Sequence, residues 1–467
     1  MSGAKLRSRL AQIEEQIASL QSHLTRLQAD RQDIIDQLAV VVYPVLTLPH
    51  DVTAEIFLRY VHEDDDDLSS TCRPILIASV CALWREVALS NPCLWTRFDI
   101  TNRSPGAWDH TVDLLRTFIS RSGVLPLDLR ISLPRSEVLD LVGKHFSRCR
   151  SLELEFAAQT SIPINTPVQV PHLTSLNFRG GSSESVTLPP LLDAPRLREL
   201  ELQSISLLDW RNRLPWSQLT TLRLHQKPLA ECLEMVLQTP NLEILELSHY
   251  ADDMLDEPDE SRQHQILARL HTLDFSNIYS YGIIPYLTLP ALRDLSVIQP
   301  GTDCADILEN LMERSQCSPT TLFLSTEDPN DLHRIASILA VLPTISSLKL
   351  DCDSMDDVSF EELLELLGSS ICPALTSLTL RECTAELRLT SLVDMLQSNQ
   401  RLTSFKLTVD KDTAVETDGV VYTADDDLED AVDQLHQLCV AGLKVDIPSK
   451  NDWLKDAMNA RMLDAPS

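Results

Sequence analysis

A regular alternation of apolar and polar residues fills the first forty positions of the chain. Apolar side chains recur in alternating steps of four and three from residue 6 to residue 41, and only Arg31 breaks the series. A spacing of 3.5 residues over five heptads predicts a long helix with a narrow apolar seam, as in a coiled coil. The seam residues are Leu6, Leu10, Ile13, Ile17, Leu20, Leu24, Leu27, Ile34, Leu38 and Val41.

The residues beside this seam do little to specify which helix packs against it. They offer few complementary charges and include Glu14, Gln16, Gln21, His23, Gln28 and Asp30. Two arrangements therefore stay open. The helix could form a homodimer through residues 6–41, or it could fold back on its own chain as an antiparallel strut.

A second apolar pattern, over residues 46–98, predicts a small helical unit. Its first helix starts near Pro49, since proline suits the first helical turn, and it places Val52, Ile56 and Phe57 on one face. Its second helix is predicted to run from Ile75 to Leu89 and to stop before the next proline. A unit of this size has too little core to be stable alone.

Five residue pairs follow one another in a fixed order within this unit. They are Leu48-Pro49, Ile56-Phe57, Val80-Cys81, Trp84-Arg85 and Leu94-Trp95. Their order resembles the F-box, the helical module of substrate receptors in Skp–cullin–RING ubiquitin ligases. The resemblance implies that Val80, Trp84 and Trp95 form the core of the module and its junction to the next domain. It also implies an adaptor-contacting surface formed by Leu46, Leu48, Pro49, Val52, Ile56 and Phe57.

One departure from the F-box pattern is an insertion of five consecutive acids, Glu63–Asp67. It predicts a longer solvated loop between the helices. A second interpretation of the unit also stays open, in which its helices only seal the end of the next domain and bind no adaptor.

From residue 124 onward, a short motif of the form Leu-x-x-Leu-x-Leu returns thirteen times, at steps of 22 to 38 residues. This motif and spacing resemble leucine-rich repeats. Apolar helical runs such as Leu229–Leu237 lie between the copies. Because no single strand–helix unit can bury its own apolar face, the copies are expected to stack into a solenoid. The longest step coincides with the acidic stretch Asp410–Asp430, which predicts an insertion.

The predicted fold class is therefore α/β, with parallel strands and helices arranged as a horseshoe. The predicted parts are a coiled-coil helix (1–42), an F-box-like module (43–98), an irregular leucine-rich-repeat solenoid with acidic insertions (99–447) and a C-terminal cap or tail (448–467).

Composition narrows the classes of function. The chain carries 69 acidic and 39 basic residues, a formal charge of −30, which argues against binding to a nucleic-acid backbone. Eleven cysteines occur without a Cys-x-x-Cys pair, so we expect reduced, mostly buried thiols. No stretch is long and apolar enough for a membrane span, and the start lacks the apolar core of a signal peptide. We expect a protein of the cytoplasm, the nucleus or both.

No motif for catalysis, metal binding or cofactor binding stands out. Gly143-Lys144 lacks the earlier glycine of a phosphate-binding loop, and the acids after Asp351 lack the spacing and glycine of a calcium loop. We therefore expect no catalytic residue, no metal and no cofactor, and we expect that the protein is not an enzyme.

A large recognition surface is the remaining candidate. In each strand motif, the residue between the last two apolar positions is expected to face solvent on the concave side of the solenoid. This row begins with acids and ends with lysines, which favours a target that is basic near the helical unit. The candidate target-binding residues are Asp128, Glu153, Glu201, Glu246, Asp274, Lys349 and Lys406, and Lys444 closes the row.

These features favour a substrate-recognition subunit of a Skp–cullin–F-box ubiquitin ligase. The helical unit would dock a Skp-type adaptor, and through it the cullin, while the repeats bind an unidentified protein target. The alternative is a non-catalytic leucine-rich scaffold or inhibitor of basic proteins, with the F-box-like helices serving only as an N-terminal cap.

Overall fold

A computed structural model gives the fold of the chain. The structure describes residues 3–40, 44–62, 71–100, 110–132, 136–156, 169–187, 193–208, 214–248, 264–276, 278–326, 331–353, 355–369, 371–381, 388–408 and 428–447. The predicted acidic loop 63–67, most of the stretch 410–430 and the predicted cap 448–467 lie outside these ranges. The chain divides into one unit of residues 1–96 with 121–123 and a second unit of residues 97–120 with 124–467.

The first unit begins with the long helix that the heptad pattern predicts. Helix α1 spans Gly3–Val40. Every side chain described between residues 8 and 37 is exposed, and the apolar seam residues from Leu10 to Ile34 are 45–68% exposed. No described part of the chain covers the seam.

Three shorter helices follow: α2 (His50–His62), α3 (Cys72–Val80) and α4 (Ala82–Ser90). The predicted single helix from Ile75 to Leu89 is wrong because the chain is extended at Cys81, with φ −153° and ψ 172°. The Sγ atom of Cys81 accepts a hydrogen bond from the backbone N–H of Trp84 at 3.4 Å, which caps the new helix. The predicted stop before the following proline is confirmed, since α4 ends at Ser90.

Aromatic side chains form the centre of this helical module. The rings of Phe57 and Trp84 meet edge to face, with centroids 5.0 Å apart. Trp95 is fully buried and donates a hydrogen bond from Nε1 to the carbonyl oxygen of Ala88 at 2.8 Å. The guanidinium of Arg121 lies 4.3 Å from the centre of the Trp95 ring. Trp95 therefore lies in the core, as expected, whereas Trp84 is half-buried and packs against the buried Phe57.

The second unit contains a sheet of fourteen parallel strands, hydrogen-bonded in the order of the sequence. Its strands are β1 (Arg97–Ile100), β2 (Leu127–Ser132), β3 (Cys149–Glu155), β4 (Ser175–Thr187), β5 (Glu199–Leu208), β6 (Thr221–His225), β7 (Ile244–Ser248), β9 (Thr272–Ser276), β11 (Asp294–Ile298), β12 (Thr321–Ser325), β13 (Ser347–Asp351), β14 (Ser377–Arg381), β15 (Ser404–Leu407) and β16 (Lys444–Asp446). Strands β8 (Gln265–Ile266) and β10 (Leu287–Thr288) form a separate parallel pair. One strand in each repeat, each paired with its sequence neighbours, is the architecture of a solenoid.

Helices lie between many of these strands. They are α5 (Thr111–Arg121), α6 (Ser136–His145), α7 (Leu229–Leu237), α8 (Cys304–Ser315), α9 (Leu332–Val341), α10 (Asp357–Gly368), α11 (Leu389–Ser398) and α12 (Leu428–Val440). Helix α7 has the bounds that the apolar run predicts. Its buried side chains and the fully buried strand leucines, such as Leu200, Leu222 and Leu245, belong to one apolar core.

The sequence pattern misses the first strand of the sheet. Strand β1 carries no Leu-x-x-Leu-x-Leu motif, yet it pairs in parallel with β2. Phe98 and Ile100 alternate with polar residues and are buried. The ring of Phe98 contacts that of Phe118 on α5 at 5.3 Å between centroids. Tertiary contacts therefore stabilise a strand that is too short to be recognised alone.

Candidate protein-interaction surfaces

The helical module leaves a large amount of apolar surface open. Eight large apolar side chains within residues 45–89 are 40–57% exposed. They are Val45, Val52, Ile56, Ile75, Leu76, Val80, Leu83 and Leu89. Helices of a soluble protein normally turn such residues towards the core, and apolar surface concentrated in one small module marks an interaction site.

The predicted adaptor-contacting residues divide into two groups in the structure. Val52, Ile56 and Pro49 are exposed, and Leu48 is half-buried. Phe57 is only 3% exposed because its ring packs against Trp84. The expectation that Phe57 belongs to an exposed patch is therefore wrong.

Two other predictions for the module have different outcomes. Val80 was expected in the core but is 57% exposed at the end of α3, so that assignment is wrong. Leu46 lies in a short 3₁₀ turn, Pro44–Thr47, and its side chain lies outside the described part of the structure.

An open cleft of about 240 Å³ lies along α3. Ile75, Leu76 and Ser79 line it together with Cys72 and Arg73. Arg73 is buried and donates from Nη1 to the carbonyl oxygen of Tyr60 at 3.0 Å, which ties α3 to α2. The cleft therefore combines a fixed base with an apolar rim, a surface suited to an apolar side chain from a partner.

Strand register defines a central row of side chains on the polar face of the large sheet. Each member is directly paired with the next across the neighbouring strand. From first to last strand the row is Asp99, Arg130, Glu153, Asn177, Glu201, Arg223, Glu246, Asp274, Ser296, Phe323, Lys349, Thr379, Lys406 and Asp446. Most of these side chains are partly exposed, between strand neighbours that are buried.

The register corrects the predicted row at both ends. Arg130 stands where Asp128 was expected, and Asp446 stands where Lys444 was expected. In each of these two stretches three apolar residues alternate with polar ones, so two polar residues are candidates for the row position. A shift of the strand by two residues leaves the same face outward. The pairing with the next strand decides between the two alignments, and a register irregularity lies next to Asp128.

Arginines neutralise the acids in the first half of the polar face. Glu153 Oε2 accepts from Arg130 Nε at 2.7 Å, and Arg179 Nη2 lies 3.1 Å from Glu201 and 3.6 Å from Glu153. Glu246 pairs with Arg223 at 2.8 Å. The predicted excess of negative charge is therefore wrong for this half, because the acids already have partners in the chain.

Asp128, which lies one row away, is also paired. Its Oδ1 accepts a hydrogen bond from Arg150 Nε at 2.9 Å. Arg130, Arg150 and Arg179 were not recognised as part of this surface from the sequence. The sequence nevertheless contains a signal for two of them. Arg130 and Arg179 each lie two residues from a predicted or observed row position, so they share the face of the row.

The middle of the row differs from its beginning. Asp274 makes no ion pair with any described residue, and burial raises the pKa of its carboxyl group to about 6, with the neighbouring Glu246 adding to the effect. Phe323 is a half-buried aromatic ring on this otherwise polar face. Lys349 is exposed and has no ion pair within the described residues. Asp274 and Lys349, which make no ion pair with described residues, therefore lie near the accessible ring of Phe323.

At the far end of the row, charged side chains again form an ion pair within the chain. Lys406 Nζ lies 3.2 Å from Asp446, and both side chains are well exposed. Salt screens an ion pair in this position, so the pair contributes little to stability and can exchange for contacts with a partner.

The described residues include neither a candidate metal site nor a membrane-spanning helix. They contain no group of three or more His, Cys, Asp or Glu side chains placed to hold a metal ion. They also contain no helix that is long and apolar enough to cross a membrane.

The repeat spacing and the strand register define the class of this protein as a solenoid of parallel strands, one in each repeat, which is compatible with leucine-rich repeats. No family model matches the chain, and no curated protein matches it. Among solved structures, the chain is similar to TLR13 in a TLR13–ssRNA13 complex, at 17% identity and a TM-score of 0.38. That match covers 64% of this chain and 47% of the TLR13 chain, so the chain spans about half the length of its neighbour. The assignment rests on the sheet itself.

Proposed function

We propose that the chain is the substrate-recognition subunit of a Skp–cullin–F-box ubiquitin ligase. The observation that carries this proposal is the exposed apolar surface of the module α2–α4, in a stretch with the residue order of an F-box. The module binds a Skp-type adaptor, which brings the cullin, and the solenoid binds a protein target. The chain contributes no catalytic residue and needs no cofactor.

The energetics of the module support a partner for this surface. Fully burying a Val or Ile side chain contributes roughly 1.5–3 kcal/mol, so covering the exposed half of several such residues yields a substantial part of a micromolar affinity. Val52 and Ile56 lie four residues apart, on one face of α2, where one partner can cover both.

Binding to a purified Skp-type adaptor tests this proposal. Val52→Asp combined with Ile56→Asp is expected to weaken adaptor binding at least tenfold, since each change places a carboxylate in an apolar interface. Val358→Asp is the matched control, because Val358 is also an exposed valine in a helix but belongs to the repeats. Adaptor binding should survive the control change.

Two outcomes would contradict the adaptor proposal. Wild-type protein that fails to bind the adaptor at tens of micromolar would favour the scaffold or inhibitor alternative, in which the helices only cap the solenoid. Equal binding by the wild type and the Val52/Ile56 variant would show that the contact lies elsewhere.

Within the solenoid, we assign target recognition to the middle of the polar face. Binding interfaces draw most of their energy from a few desolvated aromatic and charged anchors rather than from the whole surface. Phe323 provides such an aromatic anchor, with Lys349 on the next strand and Asp274 two strands away on the other side. The paired acids Glu153 and Glu201 are weaker candidates, because a target would have to replace their arginines.

This assignment can be tested by precipitating the chain and its variants and measuring how much target and adaptor each one recovers. Phe323→Ala should reduce recovery of the target several-fold, while adaptor recovery stays constant. Lys444→Ala is the control, since Lys444 is exposed on the same face but lies outside the central row. Equal target loss in both variants, or no loss in either, would place recognition elsewhere.

A further inference from the structure

The seam of α1 is a long apolar surface without a partner in the described chain. At about 1.5 Å per residue, 38 residues form a rod of about 57 Å. A helix with a narrow apolar stripe of this kind gains most of its stability from packing rather than from propensity. Its five heptads exceed the three to four that indicate a coiled coil.

From these observations we infer that α1 pairs with α1 of a second copy of this chain, as a parallel, in-register, two-stranded coiled coil. This inference concerns a different surface from adaptor and target binding and stands independently of them. The charges beside the seam are few, but they favour a second copy in the parallel direction.

The seam pattern assigns each residue to a heptad position. Leu10, Ile17, Leu24 and Arg31 occupy position a, and the seam residues three positions later occupy position d. Position g then holds Arg9 and Asp30, among others, and position e holds Glu14. In a parallel pair, a g residue of one helix faces the e residue five positions later on the other.

A parallel pair therefore brings Arg9 of each copy to Glu14 of the other, forming two attractive contacts. Asp30 lies beside the guanidinium of Arg31 of the other copy, which offsets the repulsion between the two arginines. None of these four side chains makes an ion pair with the described part of its own chain. They remain available for contacts between copies.

An antiparallel pair satisfies these charges less well. In that arrangement g positions face g positions and e positions face e positions. Glu14 then faces Ile35, and Arg31 faces Leu20 in the opposite layer. Only His23 and Asp30 meet as an attractive pair.

Arg31 also limits the number of helices. In a two-stranded coil, a long side chain at position a can extend its charged end to the edge of the interface and into water. A bundle of three or more helices would bury that charge more fully, at a high desolvation cost. A single polar residue at position a commonly fixes register and stoichiometry in this way.

Sedimentation equilibrium of the full chain tests the dimer. Wild-type protein at about 10 μM should have about twice the chain mass of 52.4 kDa. Ile17→Asp combined with Leu24→Asp should yield monomers. Ala18→Asp combined with Thr25→Asp adds the same charge at the outer b positions and should leave the dimer intact. A monomeric wild type at 50 μM, or equal dissociation of both variants, would overturn the inference.

Cysteine cross-linking tests the direction of the helices. Leu10→Cys should form a disulfide-linked dimer under mild oxidation, because position 10 faces itself only in a parallel pair, whereas wild type should not. In an antiparallel pair, Ile13 would face Leu38. Efficient cross-linking between Ile13→Cys and Leu38→Cys chains of different tag size, without cross-linking of Leu10→Cys, would refute the parallel arrangement.

The ion pairs provide a third readout. Glu14→Arg should raise the dimer dissociation constant roughly three- to tenfold by replacing two attractive contacts with repulsive ones. Exchanging both charges, with Arg9→Glu and Glu14→Arg together, should restore the wild-type constant. Failure of the double change to restore it would contradict the proposed pairing.

Discussion

Two adjacent residues of α2, Ile56 and Phe57, provide the sharpest test of the helical module. Both are apolar, yet Ile56 is 48% exposed and Phe57 is packed against Trp84. Replacement by alanine removes apolar atoms from solvent in one case and from the core in the other. We therefore expect Phe57→Ala to destabilise the module and Ile56→Ala to leave it folded.

The structure supports a large difference between the two changes. Truncating a buried Phe to Ala costs about 3–5 kcal/mol, because a cavity term adds to the lost transfer free energy. Loss of the edge-to-face contact with Trp84 is part of that cost. Since 1.4 kcal/mol is a factor of ten, local opening should rise roughly one hundred- to several thousand-fold. A surface change such as Ile56→Ala normally alters stability by only about 0.5 kcal/mol.

Hydrogen exchange of the full chain, followed by mass spectrometry, measures this difference. Amides of α2 and α4 should lose most of their protection in Phe57→Ala and retain it in Ile56→Ala. Amides of β13, in the other unit, serve as the internal control and should not change. Unchanged protection in Phe57→Ala, or equal loss in both variants, would refute the packing argument.

Three further predictions concern the solenoid. Asp274→Asn should stabilise the chain by about 2 kcal/mol at pH 7.5 and not at pH 4, measured by urea denaturation, because the raised pKa makes stability fall as pH rises from about 4 to about 6. Arg179→Ala should cost about 1 kcal/mol by breaking two ion pairs, whereas Arg196→Ala, at an exposed position without such pairs, should cost almost nothing. Alkylation of the folded chain should modify exposed Cys93 and spare Cys149, whose pKa burial raises to about 12.

Each of these predictions has a clear contrary result. A stability gain in Asp274→Asn that is equal at both pH values would show that the carboxyl group titrates normally. Equal losses in the two arginine variants would show that the ion pairs are not responsible. Alkylation of Cys149 as fast as Cys93 would show that the first repeats open readily.

The sequence by itself determined the elements whose signals are local. The heptads predict the helix that the structure shows as α1, and the apolar run Leu229–Leu237 predicts α7 with its observed bounds. The repeated Leu-x-x-Leu-x-Leu motif predicts one strand per repeat, as the parallel sheet confirms. In each case a period of 3.5, 3.6 or 2 residues determines which side chains share a face of the helix or strand, whatever that face packs against.

Only the tertiary structure decided how those faces are used. Periodicity places both Ile56 and Phe57 on an apolar face of one helix, but the position of Trp84 decides that Phe57 is buried. A shift of two residues leaves the faces of a strand unchanged, so only pairing with β3 could place Arg130, rather than Asp128, in the central row. The charge of that face likewise depends on which arginines reach which acids across neighbouring strands, and that distance exists only in the folded chain.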